Sequence, residues 1–215
     1  MNWYGNMKIA EQQPLSRSQV EQHLRDRGFD LERHLWDYDE ETGTVYLRLY
    51  TPTGKLVGMQ EYRPHISEKG GNDRGSGESW KKKRYFTTVP SEVYKPNRVW
   101  GFESVDDRPY VFLTEGVFDA APIITFGYPA LAVIGSDLSS SLEQQLSLLG
   151  KYYIGILDND KGGGLSGGKH KIQAAVKRLG GKSFIVPDPY KDFGEFYQSD
   201  RESARKFLEE ALINN

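Results

Sequence analysis

Glu115, in Leu-Thr-Glu-Gly-Val-Phe-Asp, and the pair Asp158 and Asp160, in Ile-Leu-Asp-Asn-Asp, are the carboxylates whose placement can do chemistry. Each follows an apolar run ending in a turn, so all three can converge at one edge of a sheet. Gathered carboxylates repel one another unless a cation sits among them. Hard oxygen ligands with no His or Cys nearby suit Mg²⁺ or Mn²⁺, which points to phosphate chemistry. Asp119 lies four residues beyond Glu115, one helical turn along, and faces the same end of the site. Lys191, Asp192 and Glu195 follow a later apolar run and add a fourth acidic station. A single acid after a strand is ordinarily a helix cap or turn former. Four stations on one sheet edge, two followed by glycine-rich turns, are a costly arrangement without a cation.

A competing pattern is Gly163-Gly-Leu-Ser-Gly-Gly168-Lys169-His170, which nearly matches a P-loop. It fails at its last position, where histidine replaces the hydroxyl that would ligate Mg²⁺. The better reading is a glycine-rich turn that approaches metal-bound phosphates, with Lys169 within reach of them. The four histidines, His23, His34, His65 and His170, lie far apart without metal-ligand spacing and read as surface or packing residues.

The elements that must position these residues follow from periodicity. Ser16 or Ser18 can cap a short helix through Arg27, with Gln19 or Glu21 as capping-box partner and Gly28 as the stop. From Thr44 the pattern has period two, with Val45, Leu47 and Leu49 alternating with Tyr46, Arg48 and Tyr50. A turn at 51–54 and a return from Lys55 to Arg63 predict an antiparallel hairpin. Ser67 to Ser79 is rich in Gly, Ser, Asn and charge and reads as a mobile loop. After Asp106 to Pro109 strands and helices alternate, which places a domain boundary there: 1–106 a small α+β subdomain, 107–215 an α/β domain. The expected strands are Tyr110 to Thr114, Ala130 to Ile134, Tyr152 to Leu157 and Ser183 to Val186. The expected helices are Val117 to Phe126, one with Leu138, Leu142, Leu146 and Leu149 on a face, and one with Ile172, Ala175, Val176 and Leu179. That alternation predicts a mostly parallel, right-handed sheet flanked by helices. Ser199 with Glu202 reads as the capping box of a terminal helix. In open parallel sheets ligands bind beyond the carboxyl ends of the strands, where Glu115 and Asp158 stand.

Composition bounds the rest. The 215 residues carry 37% hydrophobic residues, enough for a substantial core, and a net charge of −2, which excludes a uniformly basic nucleic-acid coat protein. The absence of cysteine removes disulfides, thiol chemistry and Cys-based zinc sites. Met1 to Ala10 lack the apolar core of a signal peptide, and no apolar stretch approaches the roughly 20 residues needed to span a bilayer. The expectation is a soluble intracellular protein.

Glu-Gly-Val-Phe-Asp at 115–119, Asp-Asn-Asp at 158–160 and Lys-Asp-Phe-Gly-Glu at 191–195 resemble, in order and spacing, the three signature segments of the TOPRIM domain. That domain is shared by bacterial and phage primases, topoisomerases and some nucleases, and the resemblance covers roughly 110–198. Upstream, Gly54 to Arg63, Lys83-Arg-Tyr-Phe-Thr-Thr, Tyr94-Lys95 and Val99-Trp-Gly-Phe resemble the small subdomain that precedes TOPRIM in the primase catalytic core. The segment Ser67 to Ser79 is an insertion relative to it.

The resemblance implies metal-dependent nucleotidyl transfer. Two Mg²⁺ (or Mn²⁺) ions held by Glu115, Asp158 and Asp160 would clamp a triphosphate and activate a ribose 3′-hydroxyl, with Asp119 and Asp192 completing or ordering the shell. Lys82, Lys83 and Arg84, with Arg63 and Lys95, would bind the template backbone or the incoming triphosphate, and Tyr85 or Trp80 would stack on a base. By itself such a basic cluster reads first as a solvated loop edge; its place one subdomain before an acidic metal centre brings the two readings level. The implied partners are single-stranded DNA and nucleoside triphosphates in the cytoplasm of a bacterium or phage-infected cell. A replicative helicase or a separate zinc-module chain would read the template, since this chain has no cysteine for such a module. Two alternatives use the same residues: a TOPRIM nuclease directing water at a phosphodiester, and a non-catalytic nucleic-acid-binding module of a replication or defence complex.

Overall fold

The structure, a computed structural model, describes residues 13–66, 83–90, 98–134, 139–159 and 167–214, with 167–171 as backbone only. The expected loop 67–79, Trp80, Lys82, Lys95, Leu138, Asp160 and the glycine turn at 163–166 lie outside the described residues.

The described strands form one sheet. In chain order they are β1 (Trp36–Asp39), β2 (Thr44–Tyr50), β3 (Leu56–Tyr62), β4 (Tyr85–Thr88), β5 (Val99–Trp100), β6 (Tyr110–Thr114), β7 (Ala130–Val133), β8 (Tyr152–Leu157) and β9 (Lys182–Ile185). The spatial order is β4-β3-β2-β5-β7-β6-β8-β9, with β1 also paired to β2. Strands β1 to β5 pair antiparallel, and β5 joins β7 antiparallel; β7, β6, β8 and β9 run parallel. The pairing direction thus changes where the chain passes 106–109, while the sheet itself continues.

The pattern of burial explains each half. In β2, Val45, Leu47 and Leu49 are fully buried while Tyr46, Arg48 and Tyr50 keep some exposure, as period-two alternation demands. In β6, β7 and β8 nearly every residue is buried, because helices cover both faces of a parallel sheet. Alternate residues sort to two cores. Phe112, Ala130, Ala132, Ile154 and Ile156 pack with Val20 and Leu24 and with Phe118, Ile123, Phe196 and Leu208. Val111, Leu113, Leu131, Val133 and Tyr153 pack on the other face with Leu142, Leu146, Ile172 and Val176.

The helices are α1 (Arg17–Asp26), α2 (Val117–Thr125), α3 (Ser140–Leu148), α4 (Gly167–Arg178), α5 (Phe193–Ser199) and α6 (Arg201–Ile213). Ser16 caps α1 in a capping box with Gln19. The cap of α6 differs from expectation: Asp200, rather than Ser199, accepts from Ser203 N at 3.0 Å. The reason is that α5 runs through Ser199, leaving Asp200 as both the end of one helix and the cap of the next.

Two glycines bring backbones together. Gly28 ends α1 with φ +73, and a Cβ there would lie 2.8 Å from Pro122 Cβ and 2.9 Å from Tyr197. Its carbonyl accepts from Thr125 Oγ1 at 2.7 Å, fixing α1 to α2. Gly194 in α5 presses on α2: a Cβ would sit 2.6 Å from the Phe118 carbonyl oxygen, which has no helical i+4 donor because Pro122 lacks an N–H.

Candidate functional site

The chain leaves β6 toward β7 on one side and returns to β8 on the other, so the crevice beyond the carboxyl ends of β6 and β8 is a topological switch point. Glu115 follows β6 directly, and Gly116 is the N-cap of α2 without a side-chain capping bond. The positive end of α2 is therefore presented where anions are favoured. Asp119 occupies the first turn of α2, and Asp158 follows β8. Asn159 N donates to the Lys191 carbonyl at 2.6 Å, tying the end of β8 to the segment before α5. There Asp192 Oδ1 accepts from Glu195 N at 2.8 Å, and Glu195 Oε2 accepts from Lys191 N at 2.8 Å. Gly194 N donates to Asp119 Oδ1 at 3.0 Å, linking the acids of α2 and α5.

Glu115, Asp119, Asp158, Lys191, Asp192 and Glu195 thus line one wall of a cavity of about 710 Å³. The carboxylates strain against one another. Withdrawal from water, then the charge of Asp192, push the Asp119 carboxyl up to about 7; Glu115 adds to the rise, and the Gly194 N–H and Arg27 oppose it. Asp119 keeps partial exposure to the cavity. An all-carboxylate donor set is chemically suited to a hard divalent cation. Among the described residues no three such groups already close into a metal cluster, and Asp160 stands outside them.

The facing wall is cationic and aromatic: His23, Arg27, Tyr62, Arg84 and Tyr85. The Arg27 guanidinium lies 3.8 Å over the Phe118 ring and donates to the Tyr62 hydroxyl at 3.2 Å and the Tyr85 hydroxyl at 3.4 Å. Tyr62 and Tyr85 stack at 5.0 Å, and Tyr62 packs on Phe118 at 4.7 Å. Arg84 Nε donates to the Ile66 carbonyl at 2.5 Å.

Of the residues singled out from sequence, the structure brings Glu115, Asp119, Asp158 and Asp192 together, with Arg84 and Tyr85 opposite. Arg63 is turned inward: it is 5% exposed, donates from Nη1 to the Lys83 carbonyl at 3.1 Å and pairs with Glu61. Its charge is engaged within the β3–β4 edge, because β-strand alternation sends it away from the cavity that Tyr62 faces. Lys83 is half-buried at the same edge and is not among the cavity-lining residues. Lys169 lies in α4, where only the backbone is described. Sequence reading missed Arg27, His23 and Tyr62. A basic residue before a terminal glycine reads as an ordinary helix end, and no spacing signal links these three positions. His34, fully buried with Nδ1 2.7 Å from Glu103, is a packing residue as expected.

No family model matches the chain. Over 105 residues, 45% of this chain, it is 34% identical to a DNA primase of Thermotoga maritima. That stretch is only 17% of the relative's length. The fold is similar to that of the Aquifex aeolicus primase, in its zinc-binding and RNA polymerase domains, with a TM-score of 0.65 and 14% identity over 93% of this chain and 56% of that one. It is also similar to the Escherichia coli primase catalytic core, with a TM-score of 0.57 and 16% identity over 95% and 79% of the two chains. The mixed α/β architecture is thus that of primase catalytic cores. Among the described residues no helix is long and apolar enough to cross a membrane.

Proposed function

We propose that the chain is a metal-dependent, primase-like DNA-directed RNA polymerase whose α/β half is a TOPRIM domain. The observation that carries this reading is a cavity lined both by carboxylates at the switch point and by guanidinium groups. A triphosphate with its divalent cation has both charges that such a lining requires. Glu115, Asp158 and Asp160 would hold one or two Mg²⁺ or Mn²⁺ ions, while Asp119 and Asp192 order them. Such ions stabilise the attacking and leaving oxygens of an in-line displacement. Arg27 and Arg84 meet the phosphates of the incoming nucleotide, and Tyr85 offers a ring for a base. The reaction joins a ribose 3′-oxygen to the α-phosphorus of a nucleoside triphosphate and releases pyrophosphate. Lys82, Lys83 and Lys95 would bind the template backbone or the incoming triphosphate, and Lys169 would approach the metal-bound phosphates. Single-stranded DNA is the template, a helicase or a separate zinc-bearing chain is the partner that presents it, and the compartment is the cytoplasm.

The test is incubation with Mg²⁺ or Mn²⁺, labelled ribonucleotides and single-stranded DNA, with Asp158→Asn as control. Short labelled products that vanish in the variant support the proposal. Metal-dependent cutting of the strand without synthesis assigns the same centre to a nuclease. Neither product, with a partner chain supplied, refutes both.

A further inference from the structure

Arg27 carries a charge opposite to that of the wall it faces, and nothing in Coulomb's law keeps it there. Its attraction to Asp119 favours collapse of the guanidinium onto the carboxylates, where it would occupy the place of a cation. What holds it back is a chain of hydrogen bonds through Tyr62 to His23. Arginine can only donate, so the Tyr62 oxygen must accept from Arg27 Nη1. The proton of that hydroxyl is then available for His23 Nε2, 2.6 Å away, an arrangement in which the imidazole accepts and carries its own proton on Nδ1. Tyr62 is 2% exposed and clamped between the Tyr85 and Phe118 rings, so its hydroxyl has little freedom to choose another partner. The groups around the imidazole favour its neutral form. Burial acts first, and Arg27 and then Arg84 outweigh Asp26 on the same helix, holding His23 below its ordinary range.

We propose that His23 and Tyr62 are positioning residues for Arg27: the imidazole takes the phenol proton, the phenol oxygen takes the guanidinium proton, and Arg27 is held across the cavity to receive nucleotide phosphates. This rests on reading the cavity as a nucleotide site. Preorganising the guanidinium spares the ordering of a flexible side chain on binding. The same tether keeps the carboxylate wall open to a cation.

Two measurements on the full chain separate the relay from its purpose. The imidazole ¹⁵N spectrum of ligand-free protein should show His23 protonated on Nδ1 with Nε2 accepting, and this signature should disappear in Tyr62→Phe. Calorimetric titration with ATP and Mg²⁺ should show affinity about tenfold weaker in Tyr62→Phe and in His23→Leu, since a hydrogen bond to a charged group is lost in effect. His23→Gln, whose side-chain oxygen replaces Nε2 as acceptor, should bind within about threefold of wild type, a rescue that a merely structural role would not show. A proton on Nε2 in the wild type, or unchanged ATP affinity in Tyr62→Phe, overturns the relay. A wild-type chain with the expected imidazole spectrum that binds no ATP overturns the nucleotide reading, and with it the role given to Arg27.

Discussion

Asp119→Asn should stabilise the metal-free protein at alkaline pH and remove part of its response to Mg²⁺. The rise of the Asp119 carboxyl from 3.8 to about 7 means that the fold prefers the protonated acid. The sign follows: this group's contribution is fully present below about pH 4 and is lost as pH rises through about 7. At 1.36 kcal/mol per pK unit the rise corresponds to about 4 kcal/mol. Asp119 retains exposure to the cavity, and water there screens its neighbours, so about 2 kcal/mol is the expected difference at pH 8. Asparagine keeps the volume and can still accept from Gly194 N, so the only large change is the removed charge. Urea unfolding in the presence of a chelator should therefore find the variant and wild type similar near pH 4, with the variant ahead by about 2 kcal/mol at pH 8. Saturating Mg²⁺ should reverse that order, because a bound cation offsets the repulsion from Asp192 and Glu115. A difference that does not change with pH, or a variant less stable than wild type at pH 8 without metal, refutes the electrostatic account of this wall.

Gly194→Ala should cost about 2 kcal/mol in thermal or urea unfolding, since its Cβ would meet a backbone oxygen at 2.6 Å that cannot swing aside. His23 has a depressed folded pKa, so its stabilising contribution is complete above about pH 6.5 and lost as pH falls through the lower value. Wild type should accordingly lose more stability between pH 7 and pH 5 than His23→Gln, read as urea midpoints. Asp200→Ala should lower the melting temperature and Ser199→Ala should leave it nearly unchanged, because Asp200, not Ser199, accepts from the first turn of α6.

The parts of the fold legible in sequence are those fixed by local periodicity and burial. β6 and β8 fall at the expected residues because both are apolar throughout and end at polar, turn-forming positions. The β2–β3 hairpin was equally readable from alternation and Gly54. In contrast, α5 is seven residues long, too short for a helical period to emerge, and it lies in the stretch read only as a fourth acidic station. Its presence also moved the cap of α6 by one residue. At the site, the acids were legible because each belongs to the end of its own element. Their counterparts were not: Arg27 and Tyr62 stand 35 positions apart, and only the packing of α1 across β3 and α2 gives them a common purpose. Arg63 and Tyr62 are adjacent in sequence, and strand geometry sends one inward and the other to the cavity, a distinction that basic character alone does not carry.

The contact of Gly28 with Pro122 makes the gap between the two walls a matter of main chain rather than of adjustable side chains. Arg27 is attached to one side of that contact and Asp119 to the other. The chain therefore behaves as a gauge block: the spacing offered to a ligand is machined into a hydrogen at one position and a ring at another. Recombining the first half of this protein with the second half of a relative would preserve both sets of charges yet lose their separation unless these two residues travelled together. Any side chain introduced at 28 would widen the gap instead of decorating it.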